Sequence, residues 1–81
     1  MEFYSYILKS LIDNKFYYGH CANLISRLKN HNAGKVRSTK GRRPLLIHYF
    51  ETFPSKSEAY QRELFFKSIA GYEFLRKNSI I

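Results

Sequence analysis

The stretch that decides the fold runs from Phe3 to His31, FYSYILKSLIDNKFYYGHCANLISRLKNH. From Phe3 to Lys9 the residues alternate. Tyr4, Tyr6 and Leu8 fall on one side and Phe3, Ser5 and Ile7 on the other, and the aromatic and β-branched content favours a strand. Asp13-Asn14 supplies a turn, because both residues tolerate left-handed backbone. Lys15 to His20 then returns as the second strand of a hairpin. Gly19 stands where that strand bends, or where a side chain would block a close approach. Asn23 suits the N-cap of a helix from Leu24 to about Ala33, with Gly34 as its stop. At about 100° per residue, Leu24, Arg27, Leu28 and His31 share one arc of that helix. The two leucines mark its buried side, so Arg27 and His31 are carried to the edge of the core or into it. An arginine placed there is costly to desolvate unless it is paired or opens on a wet pocket.

Downstream, Gly34 to Arg43 (GKVRSTKGRR) is the most basic segment, and its two glycines and lack of apolar periodicity make it a loop. Lys35, Arg37, Lys40, Arg42 and Arg43 are candidates for phosphate contact; the plainer alternative is a solvated connector. Pro44 to Phe53 (PLLIHYFETF) reads as a third strand whose nearly continuous apolar centre predicts burial on both faces. Ser55 to Glu58 has the spacing of a capping box and opens a helix expected to reach about Ala70, with Gly71 ending it. A last short helix, carrying Phe74 and Leu75, should pack back on the body. By periodicity alone Glu63 is the partner of Lys67 in an i,i+4 ion pair, and Glu58 has the same option with Arg62.

The chain has 81 residues, enough for one domain, 1–81. A domain of this size buries roughly 60% of its unfolded surface, so its seven Tyr and seven Phe dominate the core. One cysteine, Cys21, allows neither an internal disulfide nor a zinc cluster. The N-terminal residues do not read as a secretory signal and no apolar run approaches a membrane span, so the expected location is the cytoplasm. Fourteen Lys and Arg against six Asp and Glu leave a net charge of +8. That excess points to a polyanionic partner, nucleic acid first and an anionic membrane second, against the plainer reading of a basic soluble protein.

Taken together, these segments resemble the GIY-YIG nuclease family, in particular its small stand-alone members similar to the catalytic domain of the excision-repair incision nuclease. Tyr4-Ser5-Tyr6 stands in place of the first motif and Tyr17-Tyr18-Gly19 in place of the second. Leu24 to His31 resembles the arginine-bearing helix, and Ser38 to Pro44 the basic loop. Tyr60-Gln61-Arg62-Glu63 resembles the helix that presents a metal-binding glutamate. The glycine and isoleucine of the first motif are here Tyr4 and Ser5, and Cys21 stands where a small hydroxyl residue is frequent. The resemblance covers nearly the whole chain in the right order. It implies an α+β fold with a small three-stranded antiparallel sheet flanked by helices, in the order β-β-α-β-α-α.

The same resemblance implies a metal-dependent endonuclease hydrolysing DNA phosphodiester bonds, structure-directed or low in sequence specificity, with a place in DNA repair. Its catalytic set would be Tyr6, Tyr17, Arg27, His31 and Glu63, with Glu63 as ligand to Mg²⁺ or Mn²⁺. Tyr6 is the expected base and Tyr17 its orienting partner, though the two roles are interchangeable at this level. Arg27 suits a non-bridging phosphate oxygen, since its planar fork matches that geometry, and His31 could relay a proton. The expected partner is DNA, with RNA an open alternative and no membrane. Specificity would come from DNA shape, from a larger repair complex, or from a homodimer. The rival reading is a non-catalytic nucleic-acid-binding module on the same scaffold. A basic protein–protein adaptor is weaker, because it gives five such residues no reason to coincide.

Overall fold

The computed structural model describes residues Met1–Ile81. In chain order the elements are β1 (Phe3–Ser10), β2 (Phe16–Cys21), α1 (Leu24–Asn32), one 3-10 turn at Lys40–Arg42, β3 (Leu45–Phe53), α2 (Lys56–Phe66) and α3 (Ile69–Lys77). The strands form one sheet in the order β2-β1-β3, both pairings antiparallel. This is the α+β arrangement that the resemblance implies.

The central strand β1 explains the layering. Its alternation sends Tyr6 and Leu8 toward α1, where they pack with Leu24 and Leu45. Ile7 points the other way, into a cluster with Phe66 and Leu75. Each face of the sheet therefore has its own small core. The hairpin turns at Asn14, whose φ of 59° is the left-handed backbone that an Asx residue tolerates. Asn23 caps α1, its side-chain oxygen accepting from the Ser26 N–H at 2.9 Å. Gly34, at φ 78°, lets the chain leave the helix.

Three details differ from the sequence expectations. β3 is an edge strand and is not buried on both faces; along it, exposed and covered residues alternate. The unbroken apolar run has another cause. Leu8 pairs with Ile47 and Ile7 with Tyr49, so His48 is bulged out and the covered residues switch there from one face of the sheet to the other. Leu45 and Ile47 then serve the α1 core and Tyr49 the opposite one.

The second helix does not run to Ala70. It ends at Phe66, and Ser68 caps a new helix by accepting from the Gly71 N–H at 3.0 Å. Gly71 is not a stop but a close approach: a Cβ there would lie 1.7 Å from the Phe65 carbonyl oxygen. The Glu58–Arg62 pair also does not form. Glu58 binds Ser55 in the capping box, while Arg62 pairs with Glu51 at 2.7 Å and lies over the rings of Phe65, Phe66 and Phe74. The last helix does pack its Phe74 and Leu75 on the body. No helix is long and apolar enough to cross a membrane.

Candidate active site

Gly19 is the pivot of the site. It lies opposite Tyr6 in the β1–β2 ladder, and a Cβ at this position would come within 2.3 Å of the Tyr6 hydroxyl. The missing side chain lets a 2%-exposed tyrosine bring its hydroxyl to the edge of the sheet. A cleft of about 420 Å³ opens there, and Tyr6, Tyr17, Arg27, His31 and Glu63 all line it. Three of them meet at one oxygen. Arg27 donates its Nε–H to the Tyr6 hydroxyl at 3.2 Å, and His31 Nε2 lies 3.3 Å from the same atom.

Thr39 lies against the other ring nitrogen of His31. Its hydroxyl faces the Val36 carbonyl at 3.4 Å and His31 Nδ1 at 2.8 Å. With the Thr39 proton directed to Val36, the Thr39 oxygen receives the Nδ1–H of His31, and Nε2 is left to accept from Tyr6. Burial, seconded by the charge of Arg27, holds the His31 imidazole below its ordinary pKa, which favours this neutral form. Burial also pushes the Tyr6 phenol up, against the hydrogen bond and charge of Arg27, which pull it down. At rest, both groups are neutral near pH 7.

Glu63 reaches the cleft from the other face of the sheet, on α2, and is 8% exposed. One carboxylate oxygen lies 2.8 Å from His20 Nδ1 and the other 2.8 Å from the Lys67 ammonium. Burial alone would raise its pKa, but the hydrogen bonds and charges of Lys67 and His20 hold it below the ordinary range. Glu63 is therefore both the i,i+4 partner of Lys67 and a wall of the cleft.

Residues 2–71 match the GIY-YIG catalytic domain. The chain belongs to the GIY-YIG family. It is 40% identical to a UPF0213 protein of Pediococcus pentosaceus, an alignment covering 96% of this chain and 85% of the relative. A UPF0213 protein of Staphylococcus haemolyticus is 43% identical over 90% of this chain and 89% of its own length. The solution NMR structure of a UPF0213 protein from Bacillus halodurans superimposes with a TM-score of 0.55 at 35% identity, covering 95% of this chain and 84% of that one. These relatives are small stand-alone GIY-YIG proteins.

Two residues beside the GIY-YIG motifs escaped the sequence reading. Thr39 is 1% exposed, although it lies in a segment that reads as a solvated basic loop. Its only signal is a hydroxyl eight positions after His31, across a helix stop. His20 was more legible, since period-two alternation puts it on the face opposite Gly19, the face that α2 covers. Its ring packs 5.1 Å from that of Tyr60. By contrast, the loop cations Lys35, Arg37, Lys40, Arg42 and Arg43 are exposed, and none lines the cleft; the loop enters it through Val36, Ser38 and Thr39. Arg42 pairs with Asp13 at 3.3 Å, and Lys40 and Arg43 border a separate depression with Ile12.

GIY-YIG nucleases typically use divalent metal ions. No cluster of three metal-ligating side chains exists here. The donor chemistry nevertheless fits a hard cation of modest demand: one ionised carboxylate faces the cleft, with room beside it for water and a phosphate oxygen.

Proposed function

We propose that this chain is a metal-dependent endonuclease that hydrolyses DNA phosphodiester bonds with little sequence preference. In this reading residues 1–81 act as one nuclease domain suited to DNA repair. The observation that carries it is the convergence at Gly19. Tyr6, Arg27 and His31 arrive from the α1 side, and Glu63 arrives from the α2 side, at the open edge of β2. A net charge of +8 favours the polyanionic substrate.

Each residue then has a task. Arg27 uses only its Nε–H on Tyr6 and forms none of the four ion pairs, so its terminal N–H groups are free for the non-bridging phosphate oxygens. Tyr6 takes a proton from the attacking water while passing its own to His31 Nε2. The phenol thus never has to persist as a phenolate, which its raised pKa would oppose. Thr39 holds the imidazole in the tautomer that can accept that proton. Tyr17 borders the same cleft and orients the water. Glu63 would hold a Mg²⁺ or Mn²⁺ ion, which when bound supplies Lewis acidity toward the phosphate and offsets transition-state charge.

One feature favours the rival reading, a non-catalytic nucleic-acid-binding module: both oxygens of Glu63 already have protein partners. Plasmid relaxation and DNA binding, each measured with Mg²⁺, Mn²⁺ or a chelator, separate the two. The nuclease reading expects nicking that needs the metal, and a Glu63→Gln variant that binds DNA but nicks at least about 10²-fold more slowly. A wild type that binds DNA and nicks under no divalent metal leaves the binding module standing.

A further inference from the structure

The tip of the β1–β2 hairpin is built for something the cleft does not use. Leu11 and Ile12, 54% and 61% exposed, stand side by side at the turn. A mobile loop could fold two aliphatic side chains away, but this one is held. Asn14 N–H donates to the Ser10 carbonyl at 3.0 Å, Ser10 N–H to Lys15 at 2.9 Å, and Ile12 N–H to the Ser10 hydroxyl at 3.1 Å. The basic loop buttresses it from behind. Leu11 N–H donates to the Pro44 carbonyl at 3.0 Å, and the Ser10 hydroxyl donates to the Arg42 carbonyl at 2.8 Å.

The surroundings of the tip are cationic. Ile12 shares a depression with Lys40 and Arg43, and the one acidic group nearby, Asp13, is turned onto Arg42 at 3.3 Å and the Lys15 N–H at 2.9 Å. Rigid, exposed aliphatic residues ringed by Lys and Arg are complementary to a polyanion with an apolar interior. A duplex nucleic acid, with charged phosphates outside and stacked bases inside, answers that description.

We propose that Leu11 and Ile12 form an apolar wedge that enters a base step of duplex DNA, so that this chain selects duplexes that kink or unstack cheaply. The inference rests on the nuclease reading above and deepens it, by naming deformability as the source of substrate choice. Leu11 stands five positions after Tyr6, a span of about 17 Å along an extended strand. On a duplex lying along β1, at about 3.4 Å per base pair, the wedge would enter some five base pairs from the bond in the cleft. The loop between the two points joins them: Thr39 touches His31 at one end, and Lys40 and Arg43 border Ile12 at the other. Unstacking is cheapest at bulges and flexible steps, which makes these the preferred substrates.

The test uses fluorescence anisotropy in chelator, so that no cleavage occurs. Two duplexes of equal length are compared, one fully paired and one with a central bulge, each with 2-aminopurine beside the central step. The wild type should bind the bulged duplex about tenfold more tightly and raise its 2-aminopurine emission. The Leu11→Ser/Ile12→Ser variant should keep its affinity for the paired duplex within about twofold while losing both the preference and the emission change. Ile12→Ser alone, lying on an exposed position, serves as the milder version if the double variant melts early. A Lys40→Ala/Arg43→Ala variant should weaken both duplexes alike.

A wild type that binds both duplexes equally without an emission change overturns the wedge and leaves the nuclease reading intact. A serine variant that retains preference and emission does the same. If the wild type binds neither duplex, the nucleic-acid reading itself falls. A dimer in solution that the serine variant abolishes would make the tip a protein contact and also overturn the wedge.

Discussion

Tyr6 and Tyr49 sit on opposite faces of the same sheet, and both have phenols pushed above their ordinary range by burial. Their partners differ. Tyr49 donates to the Glu51 carboxylate, and with that negative neighbour its pKa reaches about 12. Tyr6 receives a hydrogen bond from Arg27 and lies 3.3 Å from Nε2 of His31, an imidazole that burial keeps neutral. A phenol facing a carboxylate is locked as an acid; a phenol between a guanidinium and an acceptor nitrogen has somewhere to send its proton. The α2–α3 face thus uses its tyrosine as a structural donor. In the proposed mechanism, the α1 face spends the same residue type on a proton path.

The comparison breaks most visibly if the two hydroxyls are removed in turn. Tyr6→Phe should lower plasmid nicking by about 10²–10⁴-fold while the thermal midpoint moves little. Equal losses of activity in Tyr6→Phe and Tyr49→Phe would show that the partners are irrelevant. The converse variant is Phe66→Ala, on the apolar face, where a 1%-exposed ring is lost. It should cost about 3–5 kcal/mol of stability in a denaturant titration, yet the residual folded protein should nick at an undiminished rate.

Thr39→Val tests the tautomer directly. Without the hydroxyl, His31 is free to turn its other nitrogen to Tyr6, and nicking should fall by about tenfold with a small loss of stability.

Acid should reveal the same imidazole. Its folded pKa lies below the unfolded value, so the unfolded chain binds the extra proton and stability falls as pH drops from about 6.5 toward the folded value. Above about 6.5 both states are neutral and the effect vanishes. Glu63, also held low, adds a loss at more acidic pH as it protonates. Thermal midpoints measured across this range should drop less steeply on the acid side in His31→Gln than in the wild type. The smallest effect is expected from Tyr49→Phe, about 1 kcal/mol of stability with nicking unchanged.

How much of this was legible from residues alone follows the range of the interactions. The hairpin, the first helix and its caps were readable because Asn14, Asn23 and Gly34 act on their own backbone. The bulge at His48 was hidden, since it depends on how two strands meet and not on either strand's composition. Gly71 misled for a related reason: a helix stop and a tight helix crossing ask for the same residue. In the cleft, Arg27 and His31 were conspicuous as polar residues on a leucine face. Thr39 was not, because nothing marks a hydroxyl in a basic loop as buried until the loop folds over the imidazole. Glu63 lay between these cases. Its spacing to Lys67 suggested a surface pair, and that pair exists, but helix periodicity cannot reveal that it faces His20 across a strand.

The bare backbone at Gly19 has a practical consequence. It is a spot where a single added methyl group would shove the Tyr6 phenol off its two neighbours while meeting no other side chain of the α1-side core. An alanine there should yield a folded, chemically silent protein with its cationic surface intact, a ready bait for fishing out whatever strand the native molecule engages.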